Sequence, residues 1–330
     1  MLDASDGLTR RISTGTYQPL LGTTVEIHVV AAADDPEVAA SAATAADQVA
    51  VGEIQRLQRV FSVFDADSEL SRWRRGAHDE LSADLSTVLT AAYEWWARST
   101  GAFHPTAAGL RQLWLQAERE DRPPSPDRLA AAVAKLRDLP FRADGGAVLR
   151  TGDCRDVDLN AVAKGYIVDC AVAMAAEAAG VVDVLVNAGG DLRHEGERTI
   201  RVGVEDPGAV GGPPLAVVQL RNGALATSGA VHRGFRVAGM WYGHVIDPRT
   251  GQPVAGRLST TVRAQDAMTA DVLATVAGVL PWAQAAPFLD AHGGAALAVL
   301  GDGELVRSAG WRDARNPRQG PARAGESARG

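Results

Sequence analysis

The segment from Val157 to Gly180, VDLNAVAKGYIVDCAVAMAAEAAG, constrains the chain most, because it sets Asp158, Lys164 and Asp169 in an otherwise apolar run. Burying an unpaired charge costs several kcal/mol or forces its neutralisation, so a fold that encloses this run must give each charge a partner or a ligand. The run reads as a strand end at Val157 to Leu159, a turn at Asn160 to Gly165, and a helix reaching Gly180 as its C′ glycine. Lys164 and Gly165 then fall near the helix start, where free N–H groups and the dipole favour an anion. A lysine there opposes the dipole, which points to a ligand or a carboxylate partner; a Lys–Asp pair serving structure alone stands beside that reading. Asp169, one turn further on, is open between partnering Lys164 and supporting the site from behind.

Around this segment the pattern mixes helices with short strands. Tyr17 to Val30 alternates as a strand or hairpin arm, and Pro36 to Val60 is Ala-rich with apolar residues at helical spacing. Ser68 and Glu69 stand ahead of LSRW as at a helix start, Ser82 to Ser99 is a helix stopped by Gly101 and Pro105, and Ser125-Pro126 opens another. Past Gly180, the stretches VDVLVNAGGD, RTIRVGVEDP, LAVVQLRNGALATSG, WYGHVIDPRTG and STTVRAQDA read as short strands with Gly or Asx turns, and MTADVLATVAGVLP as a helix. Helices set among hairpin-like strands predict an α+β fold rather than a regularly alternating parallel sheet. The 330 residues suit one large domain or two intimately packed halves: a flexible stretch 1–15, a body 16–311 of two intertwined lobes, and a disordered tail 312–330.

A net charge of −7 and the lack of a basic stripe argue against nucleic-acid binding, so an anionic substrate here calls for a metal ion or backbone amides. Cys154 and Cys170 have no metal-type Cys or His partners nearby and read as small core residues. The N-terminus lacks an apolar signal region and no run is long enough to span a membrane, so the chain as written is expected to be cytoplasmic.

Four motifs carry candidate chemistry. Asp271 and Thr275 are i and i+4 on one helix and, with Asp266 just upstream, form a set of hard oxygen donors that suits Mg²⁺. An Asp in a first helical turn and a mid-helix Thr also have ordinary structural uses. His244, near a strand end, is a candidate general acid or base, and Asp247 to Gly251 has the composition of a type I turn. VNAGGD and LATSG each follow an apolar strand with small and polar residues, so that Asp191, Thr227 and Ser228 are expected to point into one cleft. Neither matches a dinucleotide glycine fingerprint or a P-loop.

Taken in order, the blocks LGTTVEI, FSVFDADSELSRW, GAFHPTAAGLRQLW, DLNAVAKGYIVD, VNAGGD, ATSGAVHRGF, HVIDPRTG and ADVLAT, from about Gly22 to Leu300, resemble the FAD:protein FMN transferase family, the ApbE flavin transferases. The resemblance implies a two-lobed, T-fold-like architecture with FAD in the cleft between lobes. It also implies Mg²⁺-dependent cleavage of the FAD pyrophosphate, with FMN joined to a Thr or Ser of an acceptor protein and AMP released. Carried over by position, the carbonyl of Ala161 with Asp271 and Thr275 would hold Mg²⁺; Phe64, Glu69, Asp158, Lys164, Asp191, Thr227 and Ser228 would contact FAD. His244 would take the acceptor's proton, with Asp247 orienting it. Phe64 replaces a frequent Tyr, His104 the usual Asp of GAFDPT, and Asn160-Ala161 a common Gly-Gly. An FAD pyrophosphatase and a non-catalytic FAD-binding protein are the alternative readings.

Overall fold

The computed structural model describes residues 7–77, 80–209, 211–229 and 234–313. Strands β1 (Thr9–Leu20) and β2 (Thr23–Ala33) form a hairpin turned at Leu21 and Gly22, both at positive φ. Helix α1 (Pro36–Phe61) begins where the Asp35 carboxylate accepts the N–H groups of Glu37 and Val38, and Pro36 occupies the first turn. It buries Ala39, Ala43, Ala46, Ala50, Ile54 and Leu57, a stripe at three- and four-residue spacing. Helices α2 (Glu69–Arg74), α3 (Ala83–Arg98), α4 (Ala108–Arg119) and α5 (Pro126–Ala134) follow, then the hairpin β3 (Phe141–Asp144) and β4 (Ala147–Arg150).

Helix α6 (Asn160–Ala176) leads into β5 (Val181–Ala188), β6 (Asp191–Gly196), β7 (Ile200–Val204), β8 (Ala216–Leu220) and β9 (Gly223–Gly229). After β10 (Gly234–Val237), β11 (Met240–Gly243) and β12 (Arg257–Ala264) come α7 (Ala267–Val279) and α8 (Trp282–Ala291), then β13 (Ala295–Leu300) and β14 (Leu305–Arg307).

Eight strands make one open antiparallel sheet in the order β1-β2-β5-β6-β9-β12-β13-β14. One face carries three helices side by side, α1 over β1 and β2, α6 over β5 and β6, α7 over β9 and β12. Part of the other face is covered by the β7–β8 hairpin and Trp311, packed on Leu192, Leu225 and Leu297. Helix α6 is therefore enclosed by α1, α7 and the sheet, which explains why its buried residues run around most of its circumference. It comes so close to α7 that a Cβ on Gly165 would stand 2.4 Å from the Ala267 carbonyl oxygen. The fold is thus mixed helix and sheet, and the described residues form no closed barrel. No helix among the described residues is long and apolar enough to cross a membrane.

Several expectations are corrected. The turn expected at Asn160 to Gly165 is the start of α6, so Lys164 sits beyond the first turn rather than at its mouth. The helix ends at Ala176 with Glu177 as C-cap; Gly180, at φ +80°, instead makes the turn into β5, where its carbonyl accepts Ala32 N–H. Residues expected to be flexible before position 16 belong to β1 from Thr9 onward, because their backbone pairs with β2 from Ala33 to Glu26. Most of the expected tail, from residue 314, lies outside the described residues.

Candidate active site

The site is built on the α6–α7 contact. Two carboxylates cap the N-terminus of α7: Asp266 accepts Thr269 N–H at 2.7 Å, and Asp169 reaches across from α6 to accept Ala267 and Met268 N–H at 2.8 and 2.9 Å. This assigns Asp169, which is a cap for the neighbouring helix and not the partner of Lys164. Burial pushes its carboxyl up to about 6, against the lowering effect of those two N–H groups. Asp266, expected beside the metal donors, is engaged as the N-cap.

From this start, Asp271, Thr275 and Gly278 fall at i, i+4 and i+7 and share one face of α7. Asp271 lies with Lys164 and Asp191: Lys164 Nζ is 2.5 Å from Asp191 Oδ2, and Asp271 Oδ2 is buried with no hydrogen-bond partner. Burial first, then the Asp191 carboxylate, push the Asp271 carboxyl well above the ordinary range, and Lys164 pulls it back. Asp191 is delivered by the tight turn between β5 and β6, where Gly189 and Gly190 take φ of +62° and +101°.

At the other end of the same face, a Cβ on Gly278 would lie 3.6 Å from both Ser228 Oγ and Val245 Cγ1. Ser228 and the segment after β11 therefore meet α7 one turn beyond Thr275. His244 is half-buried, just past the end of β11 at Gly243 rather than within a strand, and adjoins Val245.

Thr227 does not join Ser228. Successive residues of β9 face opposite sides of the sheet, and Thr227 Oγ1 instead lies 2.9 Å from Thr261 Oγ1 on β12. The shared cleft expected for Thr227 and Ser228 is excluded by this alternation. Asp247 has another occupation too: its two oxygens hold Arg249 at 2.8 Å each, fixing the turn whose Gly251 carbonyl accepts Trp114 Nε1–H. The expected orientation of His244 by Asp247 gives way to this fork.

The remaining expected contacts have local partners. Ala161 lies in the first turn of α6, where its carbonyl belongs to the helix ladder and keeps a second lone pair. Asp158 accepts Asn160 N–H at 2.9 Å and donates its own N–H to the Pro105 carbonyl, tying the start of α6 to the His104 loop. Glu69 accepts Ser82 N–H at 2.6 Å. Phe64 stands on a loop pinned by Ser62 Oγ, which accepts Phe64 and Asp65 N–H, and its side chain is 96% exposed.

His104 holds the turn that follows it. Its Nδ1 accepts Thr106 N–H at 3.2 Å while Nε2 lies 2.8 Å from the Leu136 carbonyl, which fixes the neutral tautomer with the proton on Nε2. Burial lowers its pKa.

Among the described residues no group of three or more His, Cys, Asp or Glu side chains has the arrangement of a metal centre. A cation at Asp271 therefore needs hydroxyl and carbonyl oxygens to complete its shell, which the hard donors of Thr275 and Ala161 fit chemically. A cavity of about 450 Å³ opens elsewhere, between α5 and residues Arg249 to Gln252. Arg257 and Ser259, which line a narrow pocket with Ser228, Val245 and Gly278, belong to no recognised motif and were invisible in the sequence.

Known proteins resemble the chain in sequence and in fold. The chain is 34% identical over 245 residues to a Rhodobacter capsulatus FAD:protein FMN transferase, covering 70% of this chain and 45% of that relative's length. It is 30% identical over 269 residues to the Vibrio cholerae FAD:protein FMN transferase, covering 78% of each. The crystal structure of the ApbE protein from Thermotoga maritima superposes with a TM-score of 0.77 at 28% identity, covering 91% of this chain and 97% of the other. The ApbE family model itself matches residues 21–299, most of the described body including every residue of the α6–α7 site, and the chain belongs to the ApbE family.

Proposed function

We propose that this ApbE-family member is an FAD:protein FMN transferase that works with Mg²⁺, on the strength of the buried, unpartnered Asp271 oxygen beside Lys164 and Asp191. Flavin transfer as the activity follows from family membership together with relatives that carry that name. Asp271 and Thr275, with the Ala161 carbonyl, would hold the metal. The ion, when bound, neutralises charge that builds on the pyrophosphate oxygens.

The chain's own residues do the rest. Lys164, held by Asp191, keeps a positive charge at the metal-binding end of the α7 face. Phe64 offers an exposed ring for stacking against the isoalloxazine. Ser228 contributes a hydroxyl beside Gly278, and Asp158 and Glu69 fix the loops that border the nucleotide. A Thr or Ser hydroxyl of the acceptor protein attacks the FMN phosphorus as the bond from that phosphorus to the bridging oxygen breaks. AMP leaves, and His244 takes the hydroxyl proton.

Incubation with FAD, Mg²⁺ and a flavin-acceptor protein tests this reading. A covalently fluorescent acceptor band with equimolar AMP is expected. Free FMN and AMP without a labelled acceptor would make the chain a pyrophosphatase, and unchanged FAD a carrier.

A further inference from the structure

Arg257 opens β12 and carries its guanidinium to the C-terminal end of α7. There it donates to the Ala277 carbonyl, and the Trp282 ring centre lies 5.7 Å from the guanidinium carbon. Carbonyls at a helix end favour a cation, which accounts for one donor. The rest of the group is not accounted for. Its Nε is buried with no hydrogen-bond partner, and burial lowers its pKa with no carboxylate opposing the shift. A guanidinium stays charged and offers five N–H donors, and a donor enclosed without an acceptor is costly.

Its location supplies the missing partner. Arg257 lines a narrow pocket with Ser228, Val245, Ser259 and Gly278. Gly278 lies three residues beyond Thr275, about 4.5 Å along the helix axis. At the far end of this face Lys164 is held by Asp191. Arg257 is therefore a half-buried cation with an enclosed Nε beside the α7 face, and no carboxylate of the described residues offsets its charge.

We propose that Arg257, with the Ser228 hydroxyl, binds a phosphate group of the dinucleotide at the Gly278 end of the site. This rests on the reading of FAD as substrate. The phosphate brings the counter-charge that no carboxylate of the described residues supplies there, and the planar guanidinium meets it through paired N–H donors. Charge recognition is thereby divided between the metal-binding end of α7 and an arginine one turn past Thr275.

The test measures AMP and adenosine binding by calorimetry in chelator, so that no metal contributes. Wild type should bind AMP at least about tenfold tighter than adenosine, as for a charge-assisted bond. Arg257→Met should lose most of that ratio while adenosine affinity is kept, and Arg257→Lys should retain part of it. Adenosine binding by the Met variant checks that it is folded. An unchanged ratio in Arg257→Met, or equal binding of AMP and adenosine by wild type, overturns the proposal. So does an Arg257→Met variant with normal AMP binding and a raised KM for the acceptor protein, since the anion would then be an acceptor carboxylate. Failure of the transfer reading appears separately, as wild type that labels no acceptor.

Discussion

Lys164 Nζ meets Asp191 Oδ2 at 2.5 Å, and the pair lies against the Asp271 carboxylate, so one lysine faces two acids, Asp191 buried and Asp271 half-buried with its Oδ2 enclosed. In the metal-free protein burial and the Asp191 carboxylate favour a proton on Asp271, which a bound divalent cation would displace.

Replacing Asp271 tests this balance. Asp271→Asn should lose Mg²⁺-dependent turnover by several orders of magnitude while remaining folded, because the substitution removes the charge and keeps the shape. The pH dependence has a definite sign. Since the folded carboxyl titrates above its unfolded value, the metal-free wild type is favoured on the acid side and loses that contribution as pH rises through the folded pKa. Asp271→Asn should lack that loss. Thermal melts in chelator across pH, beside turnover assays, check both; full turnover in the variant sinks the metal assignment.

Gly165 sets the distance between the helices that carry Lys164 and Asp271. A methyl group there would stand 2.4 Å from the Ala267 carbonyl oxygen and 2.5 Å from Met268 Cα, both backbone atoms of α7. Neither can rotate away, so Gly165→Ala should destabilise by about 2 kcal/mol or more. It should also weaken FAD turnover, because α7 shifts relative to Lys164. Denaturant unfolding and kinetics on the soluble variant measure the two effects.

The elements most legible in the sequence were those with local signals. The helices started by Asp35, Ser68, Ser82 and Ser125 all begin where a side-chain oxygen accepts a backbone N–H. Helix α4 has Ala107 at its N-cap with no side-chain cap bond, and α8 has Pro281 at its N-cap and contains Pro287, so neither advertises itself. Within the site, the i, i+4 pair Asp271 and Thr275 was readable because both lie on one helix. The roles of Asp169, Asp247 and Thr227 were not. Each depends on a partner brought in by the fold or on the face of a strand: Ala267 for Asp169, Arg249 for Asp247, Thr261 for Thr227.

His104 makes the protein sensitive to acid at a defined place. Its Nδ1 accepts Thr106 N–H and lies 3.0 Å from Thr106 Oγ1, so a proton on Nδ1 breaks the loop that holds Asp158 through the Pro105 carbonyl. Burial depresses the folded pKa, so the neutral form contributes stability above the unfolded value of about 6.5, and that contribution is lost as pH falls through the folded value. His104→Asp supplies an acceptor to Thr106 that stays ionised over this range. Melting curves between pH 5 and pH 8, roughly the window in which histidine titrates, should flatten in the variant; an unaltered slope would assign the acid sensitivity elsewhere.

Phe64 separates binding from folding. Its ring is 96% exposed and its loop is held by backbone bonds to Ser62 Oγ, so the side chain does little for stability. Phe64→Ala should therefore leave unfolding free energy within about 0.5 kcal/mol of wild type. If the ring stacks on the isoalloxazine, the same variant should bind FAD about three- to tenfold more weakly, the worth of one aromatic contact. Quenching of flavin fluorescence should fall with it, whereas AMP binding, which involves no isoalloxazine, should be unchanged. Phe64→Tyr should restore both FAD affinity and quenching. Equal weakening of FAD and AMP would instead mean that the substitution disturbs the loop as a whole and that the ring is not the flavin contact.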